Sequence, residues 1–134
     1  VGAISDAYKV EHPLNPAINY LNEMLFVEDT PSEDGSYLAQ AIFGNAQVDI
    51  SPCGTGTSGR LAQRYFRGIL KADEEYVQKQ AYGGKFFGKV LKETEIGGFK
   101  AILPQVSCSD VHITGYNHLV CEENDRLKWG FTTY

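Results

Sequence analysis

The sequence predicts an α+β fold in which an antiparallel, β-barrel-like sheet wraps around one central helix. Three observations carry that expectation. One internal run, residues 57–70, repeats apolar residues at helical spacing. Around it lie short runs rich in β-branched and aromatic residues, punctuated by Gly–Gly pairs and prolines. The 14 glycines and 8 tyrosines suit a strand-and-turn protein with few long helices. A chain of 134 residues is expected to form one domain, 1–134, that buries about two-thirds of its unfolded surface.

Residues 1–9 read as the last turns of a helix whose start is missing, because no N-cap precedes Ala3-Ile4. His12-Pro13 and Asn15-Pro16 stop it. Residues 19–28 read as a strand with apolar Tyr20, Met24, Leu25, Phe26 and Val27, and 30–35 as an acidic turn. A second strand covers 37–43, Gly44-Asn45 turns the chain, and 47–49 return briefly. In the helix at 57–70 the apolar stripe is Leu61, Ala62, Tyr65, Phe66 and Ile69, with Gly68 placed to cap its end. The charged stretch 71–75 is exposed. Strands are then expected at 75–80, 85–95, 100–103, 111–114 and 117–120, separated by Gly83-Gly84, Gly97-Gly98, Pro104 and Gly115. No internal repeat, low-complexity tract or linker interrupts this order.

Composition narrows the function. A formal net charge of −5 argues against a nucleic-acid backbone or an anionic membrane as main partner. No apolar run reaches membrane-spanning length, and the N-terminus lacks a signal-peptide core. Three cysteines, an odd number, do not make a disulfide framework, so reduced thiols and a cytoplasmic location are expected.

The most informative stretch is Asp49-Ile50-Ser51-Pro52-Cys53-Gly54-Thr55-Gly56-Thr57-Ser58. Cys53 stands at the mouth of a Gly/Thr-rich turn that leads into the helix. A helix N-terminus stabilises a thiolate and also binds a carboxylate, so one short segment offers a base and an anion cradle. A lone cysteine usually only fills space. Here Pro52 fixes the chain direction, Gly54 and Gly56 let backbone N–H groups approach a ligand, and Thr55, Thr57 and Ser58 can cap the helix. Core filling requires none of these. On this reading Cys53 is the most alkylation-prone of the three cysteines. Asp49 reads either as a solvated turn carboxylate or as the partner of a substrate ammonium. Phe43 reads as core by composition. Cys108, His112, His118 and Cys121 use zinc-ligand residue types in a non-standard spacing. A half-exposed strand face explains them equally well, and no metal is expected. Lys85 follows Gly83-Gly84 without any phosphate-loop or Schiff-base motif, and reads as a solvated strand lysine.

With Ile42-Phe43-Gly44-Asn45-Ala46-Gln47-Val48 ahead of it, this segment resembles the second active-site motif of the proline racemase family, close to I-F-G-N-x-Q-x-D-R-S-P-C-G-T-G-T-S-A. Ile50 replaces the usual Arg and with it a structural salt-bridge partner, and Gly59 replaces Ala. Residues 83–90 resemble a G-x-x-F-x-G-x-V strand, and Ala101-Ile102-Leu103-Pro104 and Ile113-Thr114-Gly115-Tyr116 resemble later family strands. Asp125-Arg126-Leu127-Lys128-Trp129-Gly130-Phe131 resembles D-P-L-K-x-G-F with Arg126 for Pro, and Gln78-Lys79-Gln80 departs from the commoner H-E-S. The resemblance spans nearly the whole chain but only the second half of the family. The first half carries its own cysteine in an M-C-G-H motif that these 134 residues do not contain, so a fragment or one chain of a split protein is expected.

The resemblance implies a diaminopimelate epimerase-like half and cofactor-independent inversion at the α-carbon of proline or hydroxyproline. One cysteine thiolate removes the α-proton and a second thiol protonates the opposite face. It implies that Cys53 is one of that pair, that the N–H groups of Gly54, Thr55 and Gly56 hold the substrate carboxylate, that Asp49 contacts the ring nitrogen and that Phe43 packs on the ring. No cofactor is implied. The partners implied are the small-molecule substrate and the missing N-terminal half, with a homodimer allowed. Hydroxyproline dehydratases share the scaffold, and those that replace the second cysteine by threonine are disfavoured by Cys53. From another class, a non-catalytic amino-acid-binding module would keep the cradle alone.

Overall fold

The computed structural model describes residues 1–108, 115, 123 and 124. The order is α1 (Gly2–Ala7), β1 (Glu23–Val27), β2 (Tyr37–Phe43), α2 (Gly54–Phe66), β3 (Tyr76–Lys79), β4 (Lys85–Ile96) and β5 (Phe99–Ser107). The five strands form one sheet in chain order. Three of the four pairings are antiparallel and β2–β3 is parallel. α2 bridges that parallel pair, because parallel neighbours need a crossover connection and here the helix supplies it. The fold is thus α+β with a mixed sheet, and α2 packs on β4 and β5. Cys108 is exposed, whereas the strands expected at 111–114 and 117–120, together with His112, His118 and Cys121, lie outside the described residues.

Several boundaries move for identifiable reasons. β1 begins at Glu23 rather than Asn19. α2 begins at Gly54 rather than Thr57, because Cys53 is its N-cap and the thiol accepts the Gly56 N–H. It ends at Phe66, where Gly68 adopts φ +70° and the N–H groups of Ile69 and Leu70 return to the Arg64 carbonyl. Pro104 does not end β5. It pairs with Val90 beside a register shift between Val90 and Lys92, the kind of irregularity where a sheet tolerates proline. Gly97 and Gly98 both have positive φ, as the two-residue turn joining β4 to β5 requires. Lys85 is not simply solvated, since its Nζ pairs with Asp34 at 2.7 Å and ties the β1–β2 turn to β4.

The core is Leu61, Leu70, Tyr76 and Val90, with Tyr37, Tyr65, Ile102 and Val106 packed against it. The face that α2 buries differs from the expected stripe. Thr57, Arg60, Leu61 and Arg64 are buried, whereas Phe66 and Ile69 are 43% and 54% exposed. The stacked rings of Tyr37 and Tyr76, 5.2 Å apart, explain the inversion. The Arg64 guanidinium lies 4.3 Å from the Tyr37 ring centre and donates to the Tyr37 hydroxyl at 3.0 Å. A planar cation on a long apolar stem can pack against aromatic faces as a hydrophobe would. Arg60 turns towards β1 and bonds Asp29 and Gln63, and its guanidinium holds the Asp29 carboxyl below the ordinary carboxylate range.

Candidate functional site

The site is built from the loop at residues 49–53 and the first turn of α2. Three glutamine amides fix the loop. Gln40 on β2 donates to the Asp49 carbonyl at 2.6 Å, Gln80 to that of Ile50 at 2.8 Å and Gln78 to that of Pro52 at 2.6 Å. Gln78 and Gln80 are buried, and with Tyr76 they follow the period-2 alternation of β3 and its extension. They are the first and last residues of the Gln78-Lys79-Gln80 departure noted above, whose local task is to satisfy this loop. Within the loop, Asp49 accepts the Ser51 N–H at 2.8 Å, and the Ser51 hydroxyl accepts the Cys53 N–H at 3.1 Å.

Cys53 has φ +67°, a conformation costly for a non-glycine residue and frequent where surrounding structure imposes it at a functional position. That backbone turn aims the thiol back over the helix start. Its Sγ accepts the Gly56 N–H at 3.2 Å, lies 3.4 Å from Thr55 Oγ1, and is 3.6 and 3.7 Å from the two carboxylate oxygens of Glu23. A methyl group on Gly56 would sit 3.0 Å from both this sulfur and Leu25 Cδ1, so glycine lets the thiol lie close against the helix. Among the described residues the N–H groups of Gly54 and Thr55 have no protein partner, and both residues are exposed. Of the three N–H groups expected to hold a carboxylate, two are therefore free and that of Gly56 is taken by sulfur.

Burial raises the Cys53 thiol above its ordinary pKa, and the charges of Glu23 and Asp49 add to the rise. The Gly56 N–H hydrogen bond opposes it without cancelling it. The expectation of a thiolate-favoured, most readily alkylated Cys53 is corrected accordingly. The helix end does act on the sulfur, but desolvation outweighs it. Cys53 is 4% exposed and Cys108 is exposed. Peptide mapping after brief treatment with iodoacetamide at neutral pH should find Cys108 modified before Cys53. Faster labelling of Cys53 would show that the helix end dominates after all.

Phe43 closes β2 and stands directly opposite Glu23 across the antiparallel pair, so the two side chains share a sheet face. It also lines a separate surface hollow with Leu21, Asn22, Asn45 and Gln47. Sequence reading singled out Cys53, Asp49, Phe43 and the residues 54–56; Asp49, Cys53 and 54–56 lie on one loop and helix start, whereas Phe43 ends β2. It missed Glu23, which begins a strand thirty residues before the cysteine and carries no local signal. Beside the thiol a groove of about 330 Å³ runs between β1 and α2, lined by Glu23, Leu25, Val27, Gly56, Gly59 and Arg60 among others. Among the described residues no group of three or more His, Cys, Asp or Glu side chains could hold a metal ion, and no helix is long and apolar enough to cross a membrane.

The family model for proline racemase matches residues 1–132. A proline racemase of Acetoanaerobium sticklandii is 42% identical over 129 residues, which are 96% of this chain and 38% of that protein. A 4-hydroxyproline 2-epimerase of Shewanella loihica is 43% identical over 121 residues, 90% of this chain and 36% of that protein. A hydroxyproline epimerase of Agrobacterium vitis, whose crystal structure holds trans-4-hydroxy-L-proline, superposes with a TM-score of 0.71 at 28% identity, covering 83% of this chain and 33% of that one. The chain spans less than two-fifths of the length of these relatives.

Proposed function

The chain belongs to the proline racemase family, and we propose that it forms, as one domain over residues 1–134, the second half of an enzyme that inverts the α-carbon of proline or a hydroxyproline without a cofactor. The observation that carries this reading is the Cys53 sulfur beside the free N–H groups of Gly54 and Thr55. Those N–H groups take the substrate carboxylate, where the positive end of α2 favours an anion. They also stabilise the charge that spreads onto the carboxylate as the α-proton leaves. Asp49 faces the ring nitrogen, so the zwitterion is gripped at both poles, and Phe43 packs on the ring.

Inversion needs acid–base groups on both faces of the α-carbon. A thiolate on one face takes the α-proton, and the thiol on the other gives one up. The pair ends with its protonation exchanged and no net proton consumed. Cys53 supplies one member. When Cys53 has given up its proton, the Gly56 N–H holds the resulting thiolate. The second member is the cysteine of the M-C-G-H segment that characterises the first half.

The test compares this chain with the complete two-half protein. With L-proline and trans-4-hydroxy-L-proline, the complete protein should form the epimer and incorporate deuterium at the α-carbon in D2O, while this chain alone shows little or no inversion. Racemisation by a homogeneous preparation of the 134-residue chain at a rate comparable with the complete protein would refute the two-sided site. Substrate binding without deuterium exchange in the complete protein would favour the amino-acid-binding module, and loss of water from a 3-hydroxyproline would favour the dehydratase.

A further inference from the structure

Glu23 belongs to no motif of the active-site segment, yet it supplies the two oxygens nearest the sulfur from outside that segment. The register Glu23↔Phe43 sets its side chain on the same sheet face as Phe43, and the carboxylate reaches across to α2. Thr55 Oγ1 donates to Glu23 Oε1 at 2.7 Å. A hydroxyl has one proton, and with that proton given to Glu23, Thr55 offers the sulfur 3.4 Å away only a lone pair. The sulfur therefore faces two kinds of acceptor, the Glu23 carboxylate at 3.6 and 3.7 Å and the Thr55 oxygen, and one donor, the Gly56 N–H at 3.2 Å. A thiolate would place two anions in contact. A thiol can give its one proton to the carboxylate while still accepting the Gly56 N–H.

We propose that Glu23 is a positioning residue for Cys53, which, tethered by Thr55, keeps the proton on the sulfur, so that in the resting site Cys53 is the acid and the opposite cysteine is the base. The role rests on the racemase reading for its use in catalysis, but not for its existence. Glu23 neither takes nor gives a proton to substrate. Its charge makes the Cys53 thiolate, once formed, a stronger base and returns the proton to it. The resting site then accepts first the enantiomer whose α-hydrogen points away from Cys53. Three charged groups bear on this thiol's surroundings: Glu23 from β1, Asp49 from the loop, and Arg60 of α2, which lines the same groove as Glu23.

The experiment reads the proton on Cys53 directly. The rate of Cys53 modification by iodoacetamide is followed by peptide mapping from pH 6 to 11, in the 134-residue chain and in the complete protein. Glu23→Gln keeps shape and removes charge. It should move the midpoint for Cys53 down by roughly one pH unit, about a tenfold faster reaction at fixed pH below the midpoint. Glu23→Ala should move it the same way, and Glu23→Asp, which keeps the charge, should return it most of the way. The midpoint of Cys108 should not move. In the complete enzyme the limb of the kcat/KM profile that reports Cys53 should shift in step, a change that mere loss of folded protein cannot produce. An unchanged or raised Cys53 midpoint in folded Glu23→Gln and Glu23→Ala would overturn the assignment. A shifted midpoint in a protein without racemase activity would leave Glu23's hold on the proton standing and defeat the catalytic reading instead.

Discussion

Cys53→Ser in the complete protein should lower the rate of inversion by about 10²–10⁴-fold, the range spanned by removal of a positioned acid–base group. Serine is far less acidic than a thiol, so it can neither donate a proton at the required moment nor be regenerated as a base near neutral pH. The loss should fall on both kcat and kcat/KM, because in the proposed site the substrate is held by the N–H groups of Gly54 and Thr55 and not by the sulfur. The fold should survive. Cys53 is the N-cap of α2 and its side chain accepts the Gly56 N–H. Serine is among the preferred N-caps and restores that acceptor. Cys53→Ala removes it and should cost about 1 kcal/mol of stability in addition to activity. The measurement is chiral analysis of L-proline turnover beside a urea unfolding curve. Near-normal turnover by a folded Cys53→Ser enzyme would remove Cys53 from the acid–base pair.

The local geometry of the candidate site was legible because its chemistry is local. Proline, cysteine, two glycines and four hydroxyls within ten residues place a thiol on a helix start, and the structure brings Gly56 and Thr55 within hydrogen-bond reach of Cys53. What sequence alone could not supply is whatever depends on strand register. Glu23 reaches the sulfur from thirty residues away only because β1 pairs with β2 so that Glu23 meets Phe43. Burial, with its charge as a smaller contribution, raises the thiol pKa, opposite to the expected direction. The buried arginine face of α2 was hidden for another reason. Hydropathy counts Arg60 and Arg64 as polar, whereas Tyr37 and Tyr76 make an aromatic seat for Arg64 and Asp29 pairs with Arg60. Gln78 and Gln80 did leave a trace. Tyr76, Gln78 and Gln80 alternate on one strand face, and two amides in a buried row call for partners, which prove to be the Pro52 and Ile50 carbonyls. The parallel β2–β3 pair was not legible, because the helix between the two strands makes a connection long enough for either direction.

Leu61→Ala should be the most damaging single change to stability, about 2–5 kcal/mol for a leucine whose side chain is fully enclosed. Leu61 sits two turns into α2 and fills the space between the helix and β4. That contact exists only because the facing residue on β4 is Gly88. A methyl group there would lie 2.8 Å from Leu61 Cδ1 and 3.3 Å from its Cγ and Cδ2. Leu61 is 0% exposed and has no solvent side into which to swing. Gly88→Ala should therefore push α2 off the sheet and destabilise the protein by about 1–3 kcal/mol, the cost of overpacking a filled core. The two changes oppose each other. Leu61→Ala leaves a void where the Gly88→Ala methyl wants to be, so the double variant should be more stable than the sum of the singles predicts by about 1–3 kcal/mol. Urea midpoints at constant slope give the three values. The coupling also bears on function, since the same helix carries Cys53 at its start. Gly88→Ala should perturb the iodoacetamide midpoint of Cys53 and the double variant should restore it. Strict additivity of the two stability changes would mean that α2 and β4 adjust their spacing independently of this contact, and that the helix is held over the sheet by the Arg64–Tyr37–Tyr76 stack rather than by Leu61 against Gly88.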